Sequence, residues 1–201
     1  MLYARANMAS RGQRFVQVTW APLAPRSAAK EGGGGSGGSG WPQGLPPRRA
    51  WRPFVPLQID GYEPAQGDVY FWAAQPNPVS PGTLLAVLPI VHRLRGCVAI
   101  SFSRDGRRWS RPSPLVACRA YGERGAHQPA APALLRRGDA VYIYLNVDVP
   151  SIALDAFLPE RDYRAIDARQ PDGRLVRYTV PCATLAAWSE EGLRGLRSSP
   201  N

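Results

Sequence analysis

The heptapeptide Ser103-Arg104-Asp105-Gly106-Arg107-Arg108-Trp109 constrains this chain more than any other segment. Gly106 can take the positive φ that a tight turn needs, Asp105 can accept backbone N–H bonds across it, and Trp109 can fold back over the hairpin. The heptapeptide therefore predicts a β-turn inside a run of short antiparallel strands. From Leu57 onward the chain has the matching texture, with short β-rich runs broken by Gly, Pro, Asn and Asp. Strands are expected at Asp68 to Ala74, Thr83 to Val91, Gly96 to Ser103 and Ser113 to Cys118, forming one meandering sheet. A second set is expected at Pro132 to Arg136 and Ala140 to Val147, joined through Arg137-Gly138-Asp139, with Arg174 to Val180 following Pro171-Asp172-Gly173. Pro150 to Gln170 reads as a long loop, and Cys182 to Leu196 as a short terminal helix.

A strand pair closed by Asp-Gly or Gly-Asp recurs at Ser103 to Trp109, Gly138 to Tyr144 and Asp172 to Tyr178. Repeated hairpins suggest the blades of a propeller. Two blades leave edge strands with unpaired backbone groups, so the chain is expected to be a fragment or to pair its edges with a partner or a second copy.

The net charge of +10 raises the question of a nucleic-acid partner, and its distribution argues against one. Residues 1–56 hold eight Lys/Arg against one acid, whereas the remaining 145 residues hold 17 against 14. Phosphate-driven binding needs cations clustered on one face, and the body has no such stripe. The first 56 residues contain an apolar piece, Phe15 to Trp20, a Gly/Ser tract from Gly32 to Gly40 and a Pro/Arg stretch, and are expected to be a disordered leader or linker. This Arg-rich, nearly acid-free leader resembles an organelle transit peptide, although it has few Ser and no good amphipathic helix. A continuous apolar core of a secretory signal is not evident, and no stretch reaches the roughly 18 apolar residues of a membrane helix. Cys97, Cys118 and Cys182 are too few and too widely spaced for a zinc pattern or a disulfide framework; they read as small buried hydrophobes, or as one disulfide with a spare thiol. No cofactor or metal is expected.

The stretch from Ile100 to Val116 combines Ser-x-Asp-Gly-x-x-Trp with a following Pro-x-Pro-Leu. This pattern resembles the inter-strand turn of the five-bladed β-propeller glycosidases, the invertase-like and arabinanase- or xylosidase-like families. It also resembles the Asp-box of sialidases, without the residue those motifs place between Asp and Gly. In both, the turn is structural, so Ser103, Asp105, Gly106 and Trp109 are read as scaffold. The Ala-Pro-rich run from Pro129 to Leu135, followed after Gly138 by a Tyr-rich strand, resembles the start of a glycosidase blade, with Ala133 standing where such enzymes carry an acid.

The resemblance implies a mainly β chain: an incomplete propeller-like array of antiparallel blades over residues 57–201, with a short carboxyl-terminal helix. The implied function is carbohydrate-active and glycoside hydrolase-like, inactive or truncated; the alternative is a non-catalytic interaction or carbohydrate-binding β module. Glycoside hydrolysis uses two carboxyl groups flanking the scissile bond. Asp60 and Glu63 are the catalytic candidates because a loop at the start of an inner strand opens on the propeller axis; Glu123 and Asp148 are the other acids considered. Trp72, His127, Gln128 and Tyr142 are candidate saccharide contacts, with Tyr62, Tyr70 and Tyr144 as further stacking residues. His92 reads as structural.

Overall fold

The computed structural model describes residues 1–8, 13–22, 46, 48–62, 68–69, 71–92, 95–120, 126–149 and 173–196. In chain order the strands are β1 (Leu2–Met8), β2 (Gln13–Thr19), β3 (Val55–Pro56), β4 (Gln58–Ile59), β5 (Asp68–Val69), β6 (Ala73–Pro76) and β7 (Leu84–His92). They continue as β8 (Arg95–Ser103), β9 (Arg108–Trp109), β10 (Ser113–Ala120), β11 (Ala126–Arg137), β12 (Ala140–Val149) and β13 (Arg174–Pro181), and the helix α1 (Cys182–Gly195) closes the series.

The expected meander is present: β10, β8 and β7 lie side by side, all antiparallel, and the first expected strand is split into β5 and β6, which both pair with β7. The second expected set, β11-β12-β13, is a three-stranded antiparallel sheet. The loop expected between its last two strands lies outside the described residues.

The amino-terminal hairpin departs from expectation. Instead of a disordered leader, β1 pairs with β2 over seven residues, β2 pairs with β3, and Phe15, Val16 and Val18 are almost wholly buried. Alternating apolar and polar residues from Phe15 to Trp20 are enough for a strand once a partner surface exists. The basic composition around them conceals this. The Gly/Ser tract lies outside the described residues.

Three sheets are therefore layered, with the central one covered on both faces. Side chains alternate along β7: Leu85 and Val87 join Val98, Ile100 and Phe102 against the β11-β12-β13 sheet, while Ala86, Leu88 and Ile90 face the amino-terminal hairpin. A strand buried on both faces reads as a continuous apolar run, as Leu84 to Val91 does. In β12, by contrast, Val141, Ile143, Leu145 and Val147 are buried while Tyr142, Tyr144 and Asn146 between them are partly exposed.

Helix α1 packs on β8, β12 and β13. Leu185, Ser189 and Leu193, spaced four apart, form its buried stripe. The Cys182 N–H, one of the helix's unpaired first-turn donors, reaches the Asp139 carbonyl at 2.8 Å. At the other end the Arg104 guanidinium donates to the Leu193 carbonyl at 2.8 Å, placing a cation on the negative end of the helix. Inside the interface Asn77 Nδ2 donates to Ser189 Oγ at 2.9 Å. Gly192 lets the helix approach closely, since a Cβ there would stand 2.8 Å from the Phe102 ring. Cys97 is disulfide-bonded and Cys182 is a free thiol, so of the two readings of the cysteines the bridge with a spare thiol is the one realised.

Candidate functional site

The Ser103 to Trp109 turn has the geometry its residue types predict. Gly106 has φ +72°; Asp105 Oδ1 accepts from the Arg107 N–H at 2.8 Å and the Arg108 N–H at 2.9 Å. The Ser103 hydroxyl donates to the Arg108 carbonyl at 2.6 Å and accepts from the Gly106 N–H at 2.8 Å. Trp109 folds back so that its indole N–H donates to the Gly106 carbonyl at 3.1 Å, and Tyr3 of the amino-terminal hairpin donates to the same oxygen at 2.8 Å. The Trp109 ring is fully buried between Trp72 and Tyr3, edge-on to both, at centroid distances of 5.0 and 6.0 Å.

The charge state of this turn is set by opposing effects. Burial pushes the Asp105 carboxyl up, but the N–H groups of Arg108 and Arg107, the Ser103 hydroxyl and the Arg107 charge outweigh it and hold the carboxyl below its ordinary value. Burial, with the Asp105 charge, pushes the Tyr3 phenol well above the ordinary tyrosine range. A carboxyl lowered in the folded state contributes stability that is present above its unfolded pKa, about 3.9, and is lost as pH falls through the folded value. Urea midpoints of wild type and Asp105→Asn are therefore expected to differ at pH 7 and to converge as pH falls below about 4. A constant difference down to pH 3 would show that the carboxylate charge is immaterial.

What the turn positions is Asp60. Strand β4 pairs with β9 in parallel, Gln58 opposite Arg108 and Ile59 opposite Trp109, and the Asp60 N–H donates to the Trp109 carbonyl at 2.8 Å. The exposed Asp60 side chain then stands at the junction of two clefts. One, of about 550 Å³, is bordered by the exposed Val55, Pro56, Gln58 and Arg107 and the half-buried Tyr62, with the core residues Phe15, Val18, Leu57, Ile59 and Trp109 behind them. The other, of about 570 Å³, is walled by Ser110, Arg111, Ser113, Trp188 and Glu191 together with Asp60. A methyl group built on Gly195 would lie 3.9 Å from Asp60 Oδ2, so the end of α1 meets the carboxylate where the clefts join.

The second cleft carries side chains that the fold does not use internally. Among the described residues, Asp60, Arg111 and Glu191 form no side-chain hydrogen bond or ion pair. Trp188 is 38% exposed and also borders a small hollow with Leu115, Val116 and Leu145.

The other expected contacts do not converge on Asp60. Trp72 is a core residue, buried against Trp109 rather than offered to a ligand, and its neighbour in the heptapeptide's packing explains why. His127 is buried on β11. Gln128 and Tyr142 are half-buried on β11 and β12, and the Arg177 guanidinium lies 4.6 Å over the Tyr142 ring. Glu63, Tyr70 and Glu123 lie outside the described residues, as do the side chains of His92, Ala133 and Asp148. Trp188, Glu191 and Arg111 were not singled out by sequence reasoning. The available signal was a Trp outside the Leu185–Leu193 stripe of an amphipathic helix, with an acid one turn further along the same side. Among the described residues no group of three or more His, Cys, Asp or Glu is placed to hold a metal ion, and no helix is long and apolar enough to cross a membrane. Comparison with protein-family models, with curated proteins and with solved structures finds no match for this chain.

Proposed function

We propose that the chain is a carbohydrate-active β module whose layered sheets form an arc of a propeller-type fold, and that it binds a saccharide in the cleft between α1 and the corner joining β9 to β10. One observation carries this reading: an exposed Trp188 shares a cleft with Asp60, Glu191 and Arg111, all without internal partners among the described residues. An aromatic face offers apolar area and a quadrupole to the axial C–H groups of a sugar ring. Carboxylates accept, and a guanidinium donates, the hydrogen bonds that sugar hydroxyls require. The turn at Ser103 to Trp109, which resembles that of a glycosidase blade, supports the architectural half of the proposal.

Asp60 and Glu191 in one cleft also favour a second reading, glycoside hydrolysis, because that chemistry needs two carboxyl groups on one site. Binding separates from catalysis as follows. Trp188→Ala is expected to weaken binding to a panel of soluble oligosaccharides by roughly 10- to 100-fold, the loss of about 1.4 to 3 kcal/mol of stacking. Asp60→Asn and Glu191→Gln are expected to abolish release of chromophore from aryl glycosides if hydrolysis occurs. Unchanged oligosaccharide binding by a folded Trp188→Ala variant removes the proposed site.

A further inference from the structure

We infer that the outer face of the β11-β12-β13 sheet binds an acidic polysaccharide, one whose rings carry carboxylates. This is a second surface, separate from the Trp188 cleft and argued independently of it. Val141, Ile143 and Leu145 are buried in the core, so alternation along β12 turns Tyr142, Tyr144 and Asn146 outward. Register sets Gln128 of β11 opposite Asn146, Arg177 of β13 opposite Tyr144, and Arg137 opposite Ala140, all on that same face. The Arg177 guanidinium lies 4.6 Å over the Tyr142 ring. Apart from that stack, none of these six side chains makes a hydrogen bond, ion pair or ring contact among the described residues. No Asp or Glu stands in the sheet between the row of Ala140 and that of Asn146.

The face thus presents two cations, no anion, and phenols and amides that are not spent on the fold. A guanidinium meets a carboxylate through a planar fork of two N–H donors. Phenols and amides both donate to and accept from sugar hydroxyls. Leu135 and Leu175, 54% and 61% exposed, share the face and offer apolar area to the C–H sides of the rings. A single-stranded nucleic acid asks for something else: a charge at every phosphate to be met by clustered cations, and open aromatic faces for its bases. Two guanidiniums, one of them covering Tyr142, match sparse carboxylates better than a phosphate backbone. In a two-fold dimer the patch would meet itself, cation against cation.

The test is titration calorimetry in about 0.15 M salt with polygalacturonate oligomers, the same oligomers after reduction of their carboxyl groups, and poly(U). Polygalacturonate is expected to bind at least about tenfold more tightly than either comparison. Arg177→Gln and Tyr144→Ala are each expected to weaken it about tenfold, and the exposed Arg177 carries the test should Tyr144→Ala disturb the sheet. Arg177→Lys, which keeps the charge and loses the fork, is expected to lose nearly as much. Arg194→Gln, which removes an exposed cation from α1, and Trp188→Ala are expected to change it by less than about twofold. Affinity that follows net charge alone, spared by Arg177→Lys and lowered equally by Arg194→Gln, would overturn the site. So would poly(U) or the reduced oligomers binding as tightly as polygalacturonate, or polygalacturonate not binding at all. A dimer dissolved by Leu175→Glu would give the face to a second copy and overturn it as well, while loss of polygalacturonate binding in Trp188→Ala would overturn the separation of the two surfaces.

Discussion

Replacing Trp109 with alanine is expected to destabilise the protein by about 3–5 kcal/mol, the range for truncating a large buried aromatic. The ring is inaccessible to solvent and packs edge-on against Trp72 and Tyr3, so its removal opens a cavity that two rigid aromatics cannot close. The indole N–H bond to the Gly106 carbonyl is lost with it. For a domain whose total stability is of the order of 5–15 kcal/mol, this is a large fraction. Trp109→Phe keeps most of the volume and should cost about 1–2 kcal/mol through the lost hydrogen bond and the residual void. Urea denaturation followed by far-ultraviolet circular dichroism measures both. A loss below about 1.5 kcal/mol for Trp109→Ala would show that the aromatic cluster is not the centre of this half of the core.

The second large effect is at Gly106. Its φ of +72° is left-handed, which costs a non-glycine residue about 1–2 kcal/mol. A Cβ would also press on Met1 Sδ and stand 2.8 Å from Tyr3 Oη and 3.0 Å from Leu84 Cδ1. Overpacking of this kind adds about 1–3 kcal/mol, so Gly106→Ala is expected to lose about 2–5 kcal/mol in all. Gly138 is the internal control, with φ +59° and nothing within 4 Å of a Cβ. Gly138→Ala should show only the backbone cost, about 1–2 kcal/mol. The difference between the two urea midpoints isolates the contact between the turn and the amino-terminal hairpin. Equal losses would mean that Tyr3 and Met1 yield freely.

Both predictions concern residues that also hold the candidate site. Trp109 carries β9, β9 pairs with β4, and β4 delivers Asp60 to the cleft. A turn read as scaffold therefore also sets where the Asp60 carboxylate stands.

Much of this was legible in the order of the residues. The turn was encoded by local chemistry, since Asp105, Gly106 and Ser103 satisfy backbone groups two to five positions away. The strands followed from runs of β-branched and aromatic residues between turn formers, and α1 from a stretch that mixes Leu185, Ala186, Ala187 and Trp188 with Glu190 and Glu191. Such features depend on neighbours in the chain, and a sequence states its neighbours directly.

The tertiary structure decided the rest. Strand formation by Phe15 to Thr19 depends on Leu57, Val69 and Trp72 covering the hairpin, contacts more than 35 positions distant that composition cannot announce. Trp72 has the same side chain whether it meets a sugar or Trp109, and packing chose Trp109. The cleft joins residues 60, 111, 188 and 191 because a parallel β4–β9 pairing and the docking of α1 bring them together. Ser103 to Trp109 thus determined its own turn, whereas the charge and aromatic surface gathered around Asp60 exist only once hydrophobic burial has layered the three sheets and seated the helix.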